Sequence, residues 1–142
     1  MAQEDHAIIV GIDAYPGLST LSGPCKDAQA FHDWLVDADC GAVPPNNIHM
    51  LLTTDFHPPA PTGVNDVHPL EEEICRLFRP YISKGINQEI AGRRLYIYLA
   101  GHGFGDPTNI NAAALYAANA EPTYAAHIAG TSYAEWLRRK GV

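Results

Sequence analysis

The sequence has few basic residues and no long apolar run. The chain has nine Lys and Arg residues against sixteen Asp and Glu residues, and its formal net charge is -7. The short basic runs Arg93-Arg94 and Arg138–Lys140 are typical of solvated surface, so the sequence predicts no nucleic-acid partner. No apolar stretch approaches the roughly 18 residues of a membrane span, and the acidic N-terminus is unlike a signal peptide. We therefore expect no membrane association and a cytoplasmic location.

Cysteine is scarce, and several familiar motifs are missing. The three cysteines, Cys25, Cys40 and Cys75, are odd in number and widely spaced, which indicates neither a disulfide framework nor a zinc ribbon. Among the seven histidines there is no pair at i and i+4 and no His-Glu-x-x-His, so no metal site is predicted. The sequence also lacks a Gly-x-Gly-x-x-Gly, a phosphate-binding loop and a Gly-x-Ser-x-Gly elbow.

What the sequence does have is the pattern of an α/β domain. Its 142 residues suit one domain or most of one, and 46% of them are hydrophobic. Short apolar runs, rich in β-branched or aromatic residues, predict three strands at Ala7–Ile12, Ile48–Leu52 and Leu95–Ala100. Helices are predicted between and after them. The first runs from Pro24 to about Asp37, the second opens at Pro69 with helical spacing to Tyr81 although Pro80 should end or kink it, and the third is Tyr133–Lys140 with Ser132 as its N-cap. This alternation predicts a mainly parallel sheet with helices on its faces.

Ligands of such sheets bind beyond the carboxyl ends of the strands. Three segments are expected at that edge: Asp13–Asp27, Thr53–Asp66 and Gly101–Asn111. The second contains three closely spaced prolines and is predicted to be a loop. In the third we expect a loop over Phe104–Asn111, followed by a short strand at Ala112–Ala117.

His102 is the strongest candidate for a catalytic residue. It directly follows the third predicted strand and lies between Gly101 and Gly103, which leave room for a substrate beside the ring. A histidine at this edge can act as general base or general acid near neutral pH. The pattern alone is equally consistent with a histidine that only ends a strand.

Two stretches around these residues resemble one family. Leu95–Gly103, with the sequence LYIYLAGHG, is similar to the strand and catalytic-histidine motif of caspases, metacaspases and their bacterial relatives. Ile8–Gly17, with the sequence IIVGIDAYPG, resembles the family's first strand and loop, and Leu21–Ala28 its first helix. The resemblance covers roughly Ala7–Leu52 and Arg93–Tyr116, in the family's order. It implies a three-layer caspase-like fold and a cysteine-type endopeptidase.

The resemblance also implies roles for individual residues. His102 would work with a cysteine, and the backbone N–H of Gly103 would help to form the oxyanion hole. Asp27 matches an acidic residue that binds an Arg or Lys side chain of the substrate in metacaspases. The alternative for Asp27 is a carboxylate that stabilises the N-terminal turn of a helix. Asp13 is interpreted as a turn residue at the end of a strand.

The sequence departs from the family at the nucleophile. In caspase-type enzymes the cysteine follows the histidine by about 50 residues, whereas 40 residues follow His102 here and none is cysteine. Cys25, Cys40 and Cys75 all precede it and none matches the nucleophile position. We therefore expect residues 1–142 to be the N-terminal portion of a caspase-like domain, without the segment that carries the cysteine.

Three functions remain open on the sequence. The first is a cysteine endopeptidase acting on protein or peptide substrates, completed by the missing C-terminal segment as a partner. The second is a catalytically inactive caspase-like module that binds partners through an open sheet edge. The third is an unrelated α/β binder of small molecules, in which His102→Ala would be harmless. A downstream Asp-x-Cys or Asp-Cys-Cys motif would favour the first. The chemistry needs no cofactor, and the resemblance allows calcium as an activator.

Overall fold

The centre of the fold is a three-stranded parallel sheet. The computed structural model describes residues 4–56, 63–82 and 94–139. Strand β1 (His6–Gly11) lies between β2 (Ile48–Leu52) and β3 (Leu95–Ala100) and is parallel to both. In this register Ile9 stands opposite Met50 on one side and Tyr98 on the other. The α/β class and the parallel sheet predicted from the sequence are confirmed.

Strand β1 is continuously apolar because both of its faces are buried. Ala7 and Ile9 point into one hydrophobic cluster, whereas Ile8 and Val10 point into another. All four side chains have no exposed surface. A strand covered on both sides has no place for the alternating polar residues of a half-exposed strand.

Helices cover the two faces and make three layers. Helix α1 (Pro24–Val36) packs Ala28 and Leu35 against the cluster of Ala7 and Ile9. The opposite face is covered by α3 (Glu71–Ile82) and α4 (Gly130–Arg139), which contribute the following buried side chains: Ile74, Phe78, Tyr81 and Leu137. No helix within the described ranges has the length and apolar character that a bilayer crossing demands.

The expected loop at Phe104–Asn111 is wrong, because a β-hairpin occupies it. Strand β4 (Gly103–Asp106) pairs antiparallel with β5 (Asn109–Tyr116), and β5 pairs with the short β6 (His127–Ile128). The Asp106 carboxylate holds the tight turn, since it accepts hydrogen bonds from the N–H and hydroxyl of Thr108 at 2.8 and 2.6 Å. The strand predicted at Ala112–Ala117 corresponds to the second half of β5.

Helix ends account for the other differences. The predicted loop from Thr53 opens with one helical turn, α2 (Thr53–Phe56), and residues 57–62 lie outside the described ranges. Helix α3 begins at Glu71 rather than Pro69, because the Glu73 carboxylate accepts the N–H of Leu70 at 2.7 Å and caps the first turn.

Ser132 does not cap the last helix. Helix α4 already begins at Gly130. The neighbouring Thr131 hydroxyl bonds the backbone of Ala113 in β5 instead, at 2.8 and 3.1 Å. The predicted end of this helix at Lys140 lies outside the described residues. The hydrogen bonds from Thr131 to strand β5 therefore outweigh the capping pattern at Ser132.

Candidate active site

His102 lies where β3 leaves the sheet, beside the loop that follows β1. The backbone N–H of Ile12 donates to the carbonyl of Ala100 at 2.9 Å, which extends the pairing of β1 and β3 to the end of both strands. The chain of β1 then continues as a loop and reaches His102 again at Ser19. The parallel sheet therefore brings residues far apart in sequence to one edge, as the sequence predicted.

The imidazole of His102 is held through one ring nitrogen. Nε2 lies 2.6 Å from the carbonyl oxygen of Ser19 and 3.2 Å from its hydroxyl. A carbonyl oxygen can only accept a hydrogen bond, so this contact favours the proton on Nε2. Nδ1 is then the basic nitrogen, and it has no hydrogen-bond partner among the described residues. The ring can accept or donate a proton at Nδ1.

Tyr15 holds the backbone of the same histidine, and sequence reasoning missed it. Its hydroxyl accepts the N–H of His102 at 3.1 Å and donates to the carbonyl of Tyr116 at 3.0 Å. Its ring meets the His102 ring edge-on, with centroids 4.8 Å apart. Tyr15 is fully buried, and burial raises the pKa of its hydroxyl. The hydroxyl therefore stays neutral and can donate and accept at once.

The strand register directs the N–H of Gly103 away from the hairpin. The N–H of Tyr116 donates to the carbonyl of His102 at 2.9 Å, so these two residues form a hydrogen-bonded position of the β4–β5 ladder. Gly103 pairs with Leu115 at the next position, which by alternation is non-hydrogen-bonded. Since β4 is an edge strand of its sheet, the Gly103 N–H points to the open side.

The two candidate carboxylates differ in what they contact. An Asp13 carboxylate oxygen accepts the N–H of Cys25 at 3.0 Å, so Asp13 serves the first turn of α1. Asp27 lies in that same turn, is exposed, and makes no side-chain hydrogen bond or ion pair with other described residues. Its carboxylate is thus available to a ligand, although its position in the first turn also suits the helix dipole.

None of the three cysteines is hydrogen-bonded to His102 among the described residues. Cys25 is buried and its thiol donates to the carbonyl of Gly11 at 3.3 Å. Burial, followed by the charge of Asp13, raises the pKa of this thiol, which keeps it protonated. Cys75 is partly buried with its Sγ 3.1 Å from the Tyr133 hydroxyl, and Cys40 is exposed after α1.

An apolar groove runs beside the outer edge of β3. Within the described part of the chain, β3 pairs with β1 alone, so its other edge carries unpaired backbone groups. The groove has a volume of about 410 Å³. It is lined by side chains of β3, β5 and α4 and by the backbone that flanks the histidine: Ile97, Leu99, Gly101, Gly103, Leu115 and Ala134.

Metal ligands do not cluster in the ranges that the structure describes. No three His, Cys, Asp or Glu side chains there converge as a metal ion would require. The calcium dependence that the resemblance allows stays a prediction.

Comparison with known proteins finds a protease-like relative. The chain is 29% identical over 101 residues to a protein of a Desulfuromonadales bacterium named "probable protease". The match covers 70% of this chain but 12% of that protein, so the chain spans a small part of the relative. No protein-family model matches the sequence.

Proposed function

We propose that this chain is the histidine-bearing part of a caspase- or metacaspase-type cysteine endopeptidase. One observation carries the proposal: the ring of His102 is fixed at Nε2 by the Ser19 carbonyl, which leaves Nδ1 basic at the carboxyl edge of a parallel sheet. The similarity to a probable protease supports proteolysis in general. The resemblance of the two sequence motifs supplies the cysteine type.

The chemistry divides between this chain and a cysteine from outside it. The basic Nδ1 of His102 takes the proton of the cysteine thiol. The resulting thiolate attacks the peptide carbonyl carbon, a C–S bond forms, and the carbonyl electrons move onto oxygen. The outward N–H of Gly103 donates to that oxyanion. When the C–N bond breaks, protonated Nδ1 of His102 gives its proton to the leaving amine. Water then attacks the thioester carbon while Nδ1 accepts one of the water protons, and the C–S bond breaks to release the acid and return that proton to the cysteine sulfur. None of these steps requires a cofactor.

Asp27 is proposed to select a basic residue before the cleaved bond. Its carboxylate is exposed and unengaged by other described side chains, on the helix whose first residue, Pro24, lies against Gly11 at the carboxyl end of β1. A guanidinium or ammonium group can pair with such a carboxylate through charge-assisted hydrogen bonds. The proposed substrates are therefore proteins or peptides cleaved after Arg or Lys.

The decisive experiment uses the complete gene product that contains these residues. It would be assayed on fluorogenic peptides ending in Arg, Lys or a neutral residue. His102→Ala should lower kcat/KM by about 100- to 10,000-fold, the usual contribution of general acid–base catalysis. His49→Ala is the matched control, because His49 is an exposed histidine on β2. Equal activity of both variants would remove His102 from the mechanism.

Specificity has its own pair of variants. Asp27→Asn should lower kcat/KM on Arg and Lys peptides by about 10- to 100-fold, the loss of a hydrogen-bonded charge pair, and leave neutral peptides unchanged. Asp33→Asn changes an exposed carboxylate on the same helix and should have no such effect. A uniform effect of Asp27→Asn on all peptides would instead assign Asp27 to helix stability.

The open edge of β3 supports a second candidate function, an inactive module that binds a partner strand. Edge strands with unpaired backbone groups pair readily with added strands, and the groove beside β3 offers room for apolar side chains. Under this function, the complete gene product shows no peptidase activity. Leu99→Lys, which places a charge in the groove, would then abolish partner binding while His102→Ala leaves it intact.

A further inference from the structure

The hydroxyl of Tyr15 replaces one hydrogen bond of a β-ladder. At a hydrogen-bonded position of an antiparallel pair, two residues exchange two direct N–H···O bonds. His102 and Tyr116 make one of these directly, at 2.9 Å. The other runs through Tyr15, which accepts from the His102 N–H and donates to the Tyr116 carbonyl. The main chain of His102 is thus fixed by a side chain 87 residues earlier.

The same loop also fixes the side chain of His102. The Tyr15 ring contacts the imidazole edge-on, and Ser19, four residues later, bonds its Nε2. A turn joins the two, since the N–H of Leu18 donates to the carbonyl of Tyr15 at 3.0 Å. Backbone and ring of the histidine are therefore both set by one short, internally bonded segment.

Gly101 shows how closely the tyrosine is fitted. A Cβ added to Gly101 would overlap the Tyr15 hydroxyl oxygen, at a separation that real Cβ atoms do not show. The absence of a side chain at position 101 is what gives the hydroxyl its place beside the backbone of His102.

We infer that Tyr15 is a positioning residue: its hydroxyl fixes the backbone of His102, which holds the ring against the Ser19 carbonyl and keeps Nδ1 directed to the reacting groups. The reacting groups belong to the proposed function, on which this inference rests, but the orientation of His102 is a property of this chain. It can therefore be tested without any peptidase assay.

The test is nitrogen-15 and proton NMR of the histidine-labelled 142-residue chain carrying Tyr15→Phe, which removes only the hydroxyl. We expect the His102 amide to exchange about fivefold to tenfold faster with solvent, as the loss of one hydrogen bond allows. We also expect its ring-nitrogen shifts to move from one fixed tautomer towards a mixture. Tyr81→Phe is the control, because Tyr81 is a buried tyrosine bonded to His6, at 3.1 Å from its Nδ1, and not to His102.

A second pair of variants covers the case in which Tyr15→Phe does not fold. Gly101→Ala keeps the hydroxyl but displaces it, and should produce the same His102 signature, whereas Gly63→Ala adds a methyl group where no atom of another described residue, apart from its two chain neighbours, lies within 4 Å. Folded Tyr15→Phe or Gly101→Ala with wild-type His102 exchange and ring shifts would overturn the inference. If the variants show the expected His102 signature but the complete gene product is inactive, the peptidase is refuted and the positioning role stands.

Discussion

The carbonyl oxygen of Ser19 and the Nε2 atom of His102 are 2.6 Å apart, although 83 residues separate them in the sequence. The Ser19 hydroxyl is also near Nε2, at 3.2 Å. Both cannot be strong partners of one N–H, and the shorter contact is to the carbonyl. The main chain of Ser19, rather than its side chain, therefore orients the histidine.

Ser19→Ala should accordingly have almost no effect on the orientation of His102 or on activity. The variant keeps the carbonyl and removes the hydroxyl, so we expect the tautomer of His102 by NMR and the kcat/KM of the complete gene product to change less than about threefold, an effect below 1 kcal/mol. A loss of a hundredfold or more would show that the hydroxyl itself takes part in the chemistry.

The cysteines should react in the order of their exposure. With iodoacetamide at pH 7.5, Cys40 should be alkylated first and Cys25 at least about tenfold more slowly, because its raised pKa leaves little thiolate. Mass spectrometry of timed digests gives the order, and the same reaction in urea supplies the unfolded control. Equal rates for Cys25 and Cys40 in the folded chain would contradict the burial of Cys25.

Phe78 should be among the costly positions of the core. It is fully buried between α3 and the sheet, and the centroids of its ring and the Tyr133 ring are 4.8 Å apart. Phe78→Ala should lower the free energy of unfolding by about 3–5 kcal/mol in urea titrations. Arg79→Ala, an exposed change one residue along the same helix, should stay within about 0.5 kcal/mol. Similar costs for both would place Phe78 outside the core.

Alkaline pH should destabilise the fold. Burial raises the pKa of Tyr15 and Tyr81, and burial together with the hydrogen bond to Cys75 raises the pKa of Tyr133 to about 12. Unfolded tyrosines ionise near pH 10. The neutral folded groups therefore contribute their full stability below about pH 10 and lose it as the pH rises through the folded pKa values.

The measurement is the urea midpoint between pH 8 and 11.5, together with tyrosinate absorbance. The midpoint should hold at the lower pH values and fall above about pH 10, while part of the seven tyrosines ionises only on unfolding. A midpoint that rises with pH in that range would contradict the raised pKa values.

The sequence alone predicts those strands that are marked by an apolar run or by flanking glycines. Ile8 and Ile9 belong to an unbroken apolar run, which indicates a strand covered on both faces, and the glycines beside His102 indicate the end of another. Asp27 could be found only through the resemblance, because one carboxylate in a helical first turn is common. The structure adds that Asp27 is exposed and that Asp13 serves the helix instead.

The elements that the sequence did not reveal depend on distant contacts. Tyr15 stands in a loop among prolines and glycines, where no periodicity marks it as buried, and its partners lie 87 and 101 residues away. The hairpin strand Gly103–Asp106 has two glycines and no apolar alternation. Both are stable because of pairing with Tyr116 and its neighbours, which local propensity does not record.

The fit between Tyr15 and Gly101 also restricts how this site can evolve. A side chain at position 101 would displace the hydroxyl at position 15, and that hydroxyl takes its place beside His102 only in a chain with glycine at 101. Homologous sequences should therefore combine Tyr at position 15 with Gly at position 101, and should carry a larger residue at 101 only where the tyrosine is absent. Single exchanges at either position would pass through a chain whose histidine has lost its orientation.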